Sequence, residues 1–130
     1  MFKDTKAFSG FAVDDLDAAR KFYAETLGLR VSTEMGLLNL LLADGERPTL
    51  VYPKPDFEPS TYTILNFPVA DIDEAVDELA SRGVAFEIYD GFGQDEKGIA
   101  RGDEGPPIAW FRDPAGNILA VLEAEGPPKA

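Results

Sequence analysis

The stretch FAVDDLDAA, Phe11 to Ala19, decides the reading of this chain because it returns as FPVADIDEA, Phe67 to Ala75, with an offset of 56 residues. Each copy runs from an apolar alternating segment into an aspartate and then into apolar residues spaced three and four apart. That order spells strand, N-cap, helix. In the first copy Ala7 to Val13 reads as the strand and Asp15 as the cap, with Leu16, Ala19, Tyr23 and Leu27 forming one helical stripe. Gly28 is placed to end that helix in a left-handed conformation. In the second copy Thr63 to Val69 is the strand and Asp71 the cap, with Glu74 where a capping box would have it. Ile72, Val76 and Leu79 form the stripe, and Gly83 is the stop.

Working outward, Leu29 to Thr33, Leu37 to Leu42 and Thr49 to Tyr52 read as strands, the last two flanking the turn signal Ala43-Asp44-Gly45-Glu46. Ala85 to Tyr89, Ile108 to Arg112 and Ile118 to Glu123 are their counterparts, with Asp113-Pro114-Ala115-Gly116-Asn117 as a turn. The expected fold class is therefore α+β: two β-α-β-β-β modules whose curved mixed sheets form a cup. Module 1 spans residues 7–53, a proline-rich connector 54–61, and module 2 residues 62–125, within a single domain. The glycine-rich stretch from Asp90 to Pro107 reads as a flap over a binding cleft, with an idle loop as the alternative. It has no GKS or GKT ending and opens no helix, so it is not a phosphate loop. The tail from Gly126 is expected to fray.

Composition narrows the chemistry. The 130 residues carry 24 acidic and 12 basic side chains, a formal charge of −12. A surface so negative repels phosphate backbones and anionic membranes, so neither nucleic acid nor membrane is an expected partner. Histidine and cysteine are both absent, which removes the commonest transition-metal ligand, the usual general base near neutral pH and all thiol chemistry. Met1 to Lys6 lacks the apolar run of a secretory signal, so a cytoplasmic location is expected.

Two segments resemble a known family. FSGFAVDDLDAARKFYAETLGL, Phe8 to Leu29, is similar to the opening of vicinal oxygen chelate proteins, and WFRDPAGNILAVLE, Trp110 to Glu123, is similar to their last hairpin. That group includes glyoxalase I, extradiol dioxygenases, fosfomycin resistance proteins and bleomycin-binding proteins. The resemblance implies the cup fold, frequent homodimers and, in the metal-dependent members, four inward-facing ligand positions. Carried onto this chain, those positions fall on Phe8 and Ile64, each seven residues before its capping aspartate, on Ala120 of the last strand, and within Thr49 to Tyr52. None offers imidazole, thiolate or carboxylate, so no metal and no other cofactor is expected. A shift of one residue gives Ser9, Leu65 and Leu119, which are no better.

Alternation then proposes a mostly apolar, ligand-binding lining of Phe8, Asn39, Tyr52, Ile64, Asn66, Trp110 and Ala120. Filling of the cleft by Phe8, Ile64 and Ala120 as ordinary core is the plain alternative. Catalytic residues are unknown; Glu87, Tyr89, Asp90 and Asp95 are the acid–base candidates, without a spaced pair to organise a reaction. The expected function is metal-independent binding of a small, largely apolar molecule, of the sequestering or resistance kind. A metal-free isomerase or lyase and a non-catalytic dimeric structural or regulatory protein are the alternatives.

Overall fold

The structure is a computed structural model that describes residues 1–43, 47–102 and 105–124. The central residues of the turn expected at Ala43-Asp44-Gly45-Glu46, and the tail from Gly126, lie outside the described residues. The chain divides into two compact units, Met1–Pro59 and Ser60–Ala130.

In the first unit β1 (Gly10–Val13) leads into α1 (Leu16–Lys21), which continues as a wider π-helical segment, Phe22–Thr26. Asp15 accepts from the Ala18 amide at 3.1 Å, the cap that its short side chain predicts. The widening shows in the closing bonds: the Leu27 amide donates to the Phe22 carbonyl at 2.9 Å, and Leu29 to Tyr23 at 2.9 Å. Gly28 then takes φ +73°. The chain proceeds through β2 (Val31–Glu34), β3 (Leu37–Leu40) and β4 (Thr49–Pro53). Sheet order is β1-β4-β3-β2, with β1 parallel to β4 and the other pairs antiparallel. One face buries Phe11, Val13, Leu38, Leu40 and Val51 with Ala19 and Tyr23 of the helix.

The second unit starts the same way. Thr63–Val69 is β5 and Ile72–Ser81 is α2. The Asp71 side chain accepts from Glu74 at 3.1 Å, and a second first-turn amide, that of Ile72, donates to the carboxylate of Glu123 at 3.0 Å. Gly83 ends the helix at φ +91°. β6 (Ile108–Arg112) and β7 (Ile118–Glu123) complete a three-stranded sheet of order β5-β7-β6. As in the first unit, the opening strand pairs in parallel with the closing one. Ile72, Val76, Ile99, Ala109 and Val121 form the core between helix and sheet.

Three expectations need correction. The strand expected from Ala7 begins at Gly10, where pairing with Leu50 starts, so Phe8 precedes the sheet and is 64% exposed. The strand expected over Ala85 to Tyr89 is reduced to a single bridge, Phe86 to Phe111. The Glu87 amide still donates to the Trp110 carbonyl at 2.8 Å, but other polar groups of the segment find a side chain: Gln94 Oε1 accepts from the Tyr89 amide at 2.6 Å, and Gln94 Nε2 donates to the Glu87 carbonyl at 2.8 Å. Finally, the segment read as a flap is rooted at its middle. Ile99 is fully buried, and Ala100 exchanges backbone bonds with Ile108 at 2.8 and 3.1 Å.

That rooted segment is also tied to α2 electrostatically. Arg101 Nη2 donates to both carboxylate oxygens of Asp73 at 2.8 Å, and Lys97 reaches Asp77 at 3.0 Å. Asp95 accepts from the amides of Lys97 and Ile99, each at 2.9 Å. The bond from Arg101 is the main cause holding the Asp73 carboxyl below 3.8. For Asp95 burial pulls upward, but the Ile99 and Lys97 amides and Arg101 outweigh it. Carboxyls depressed in the folded state add stability above their unfolded pKa, and that contribution disappears as pH falls through the folded value. We expect hydrogen-exchange protection of the Ile99 amide, corrected for intrinsic rate, to decline below about pH 4. Protection unchanged down to about pH 2 would show that these charges do not hold the segment.

Candidate functional site

The face of the second sheet turned away from α2 carries the most site-like arrangement. In-register pairing places Asn66, Ala120 and Trp110 in one row across β5, β7 and β6, so three of the expected lining residues do share a face. Ala120 is fully buried, while Asn66 is exposed and Trp110 half-buried. Ile64 falls at a register shift, between Thr63 paired with Ile118 and Leu65 paired with Leu119. The irregularity puts Thr63 beside Ile118, and Thr63, not Ile64, lines the hollow there. Phe8, Asn39 and Tyr52 belong to the first unit. There Asn39 aligns with Leu50 and Ser32, and Tyr52 with Ala12, on the face opposite the helix.

Three rings meet over β6. Tyr89 and Trp110 lie 5.5 Å apart between centroids, Phe92 and Trp110 5.2 Å, and Tyr89 and Phe92 6.1 Å, all steeply tilted. Edge-to-face and tilted pairs of this kind each contribute about 0.5–1.5 kcal/mol beyond burial. Trp110 comes from the strand. Tyr89 is positioned by the bond from its amide to Gln94. With Thr63, Tyr62 and Ile118 the rings line a shallow hollow of about 270 Å³. On the other side, Phe92 and Trp110 also wall a trough of about 620 Å³ floored by Gly91, Ala100, Gly102 and Ile108.

The charged groups nearby are committed to one another. Arg112 donates from Nε to Glu87 and from Nη1 to the Gly116 carbonyl at 2.7 Å. The Tyr89 hydroxyl is enclosed and, among the described residues, meets no hydrogen-bond partner of normal geometry. Burial pushes its pKa up, the Glu87 carboxylate adds to this, and Arg112 opposes it. A phenol so placed stays protonated and can donate to an acceptor but not abstract a proton. Asp95, another acid–base candidate, serves as a local cap, and Asp90 is exposed. Asp113 and Asn117 are buried as turn residues, the Asn117 amide donating to Asp113 Oδ1 at 2.8 Å. Among the described residues no three His, Cys, Asp or Glu side chains converge as a metal site would require. No helix among them is long and apolar enough to cross a membrane.

Sequence reasoning gave Trp110 but left Phe92, Tyr62, Thr63 and Ile118 out of the binding set. Phe92 was legible only as an aromatic between two glycines in a loop, and Thr63 was hidden by the register shift.

Comparison with known proteins agrees with this fold. The model of the Glyoxalase/Bleomycin resistance protein/Dioxygenase superfamily matches residues 8–121. No curated protein matches the chain. Among solved structures, the antibiotic binding protein TnmS3 from a Streptomyces species is 22% identical, with 90% of this chain and 94% of that one covered and a TM-score of 0.64. The genomically encoded fosfomycin resistance protein of Listeria monocytogenes is 14% identical, with 91% of each chain covered and a TM-score of 0.68. A superfamily member from Sphaerobacter thermophilus is 22% identical over 91% of this chain and 97% of that one, with a TM-score of 0.67. Likeness at these identities establishes the fold, and the match over residues 8–121 establishes the kinship. The chain belongs to the Glyoxalase/Bleomycin resistance protein/Dioxygenase superfamily.

Proposed function

We propose that this protein binds a small, largely apolar molecule without a metal ion, as a sequestering or resistance protein does. The observation that carries the reading is the hollow walled by Tyr89, Phe92 and Trp110 on the face of the second sheet opposite α2. An apolar concavity with a few polar groups at its edge is the usual form of a small-molecule site. Its neighbouring cation, Arg112, is already paired, which leaves aromatic and apolar contact as the main recognition chemistry. The antibiotic-binding and fosfomycin-resistance neighbours are consistent with such a role.

The donor chemistry supports the metal-free part. At the positions where the family resemblance would put ligands stand a phenyl ring at Phe8, an alkyl group at Ile64 and a methyl group at Ala120. These do not fit a divalent metal. Tyr89, held protonated, favours binding over proton abstraction. The reading includes a cytoplasmic homodimer, for which the unpaired edges of the sheets give a physical route. Sedimentation as a monomer at micromolar concentration would remove the dimer and leave the binding site standing.

Trp110 is the sole tryptophan, so its emission reports on the site directly. Titration of the EDTA-treated protein with a panel of uncharged aromatic and aliphatic compounds, followed by Trp110 fluorescence and calorimetry, is expected to find saturable binding. A panel with no saturable member refutes the function. Binding that appears only when a divalent metal is restored refutes its metal independence.

A further inference from the structure

We propose that Phe92 sets the ligand class of this site: it is a hinged partition between the two hollows, and its displacement from Trp110 admits an elongated, uncharged aromatic molecule spanning both. The inference rests on the binding function proposed above and adds what kind of molecule is bound and which residue selects it.

The two hollows share Phe92 and Trp110 as walls. The smaller, about 270 Å³, falls just under the roughly 300 Å³ at which sites for drug-sized ligands begin. The larger, about 620 Å³, is floored mainly by backbone and small residues that offer little to grip. Together they supply an aromatic seat for a head group and a channel for an extension.

Their shared walls differ in freedom. Trp110 is set by strand pairing with Ala120, and its carbonyl accepts from the Glu87 amide at 2.8 Å. Phe92 sits in a turn between Gly91 at φ +89° and Gly93 at φ +60°. Both glycines adopt backbone conformations open to them at little cost and restrictive for other residues. A Cβ added at either would meet nothing within 4 Å, so open space surrounds the turn. Phe92 is 53% exposed as a residue, and its ring leans on Trp110 and Tyr89, contacts that an entering planar ring can replace. An anionic ligand is disfavoured by the net charge of −12 and by the commitment of Arg112 to Glu87 and Gly116.

The test is stopped-flow association of two uncharged dyes, 1-naphthylamine as a head group alone and N-phenyl-1-naphthylamine as an elongated one. Each is mixed with the wild-type protein, Phe92→Ala and Gly93→Ala. If the open form of the partition is a minor population, association of the elongated dye is slowed by that fraction. Phe92→Ala should then speed it by about tenfold, and Gly93→Ala, which keeps the ring but stiffens the turn, should slow it by about threefold. In Gly93→Ala, which keeps every wall of the smaller hollow, association of the head group should change by less than about twofold, and from Phe92→Ala, which removes one wall, the head group should also dissociate faster. Binding of both dyes with the elongated dye equally fast in all three proteins, or with both dyes shifted alike, overturns the partition while leaving the binding site intact. Failure of both dyes to bind any of the proteins overturns the proposed function together with this inference.

Discussion

Alanine at position 99 is expected to lower the stability of the protein by about 2–5 kcal/mol, the usual cost of truncating a fully buried isoleucine. Ile99 is inaccessible to solvent and packs with Ile72, Val76, Ala109 and Val121 between α2 and the sheet. Among the described residues it is the only contribution the glycine-rich stretch makes to that cluster, so the cavity would open where the loop is anchored. Chemical denaturation followed by Trp110 emission measures the change. A loss below about 1 kcal/mol would mean that the segment detaches without consequence and that its packing is incidental. Because Ala100 bridges both Gln94 and Ile108, the same substitution should weaken dye binding in the trough beyond what the loss of global stability explains.

Gln94→Glu should be nearly as costly, at about 2–4 kcal/mol, although it changes only an amide to a carboxylate. Gln94 Nε2 donates to the carbonyls of Glu87 and Gly98 at 2.8 and 2.7 Å, and a carboxylate in its place would face both oxygens with no proton to offer. The bond from the Tyr89 amide to Oε1 could persist, so a substitution that keeps size and shape separates donation from filling. The expected signature is a lower denaturation midpoint with faster exchange of the Tyr89 amide and a red-shifted Trp110 emission as the aromatic cluster loosens. A variant indistinguishable from wild type would show that water replaces both donors without loss and that Gln94 does not hold the site.

Much of the architecture was legible because its signals are local. Asp15 and Asp71 cap their helices through their own side chains, and β5, β6 and β7 have the bounds that alternation assigned. The candidate site was legible in part. Trp110 and Ala120 fall in one row with Asn66 because strand periodicity specifies facing. Ile64 was misplaced because a register shift obeys no periodicity. Phe8 was misplaced because the point where β1 begins depends on where β4 starts to pair with it.

The sequence by itself determined the repeated strand–cap–helix plan, the absence of histidine and cysteine, the strong negative charge and the kinship visible at its two ends. Each is set by residue type at short range, or by composition alone, and needs no knowledge of what lies across the chain. Tertiary structure alone decided that Gln94 would satisfy the backbone of Glu87 and Tyr89 where a strand was expected. It also decided that Ile99 would root the loop and that Phe92, eighteen residues before Trp110, would share a ring cluster with it. These are contacts between segments whose separation follows no period. Their partners are chosen by which buried polar group is left unpaired and which apolar gap is left unfilled once the local elements have formed.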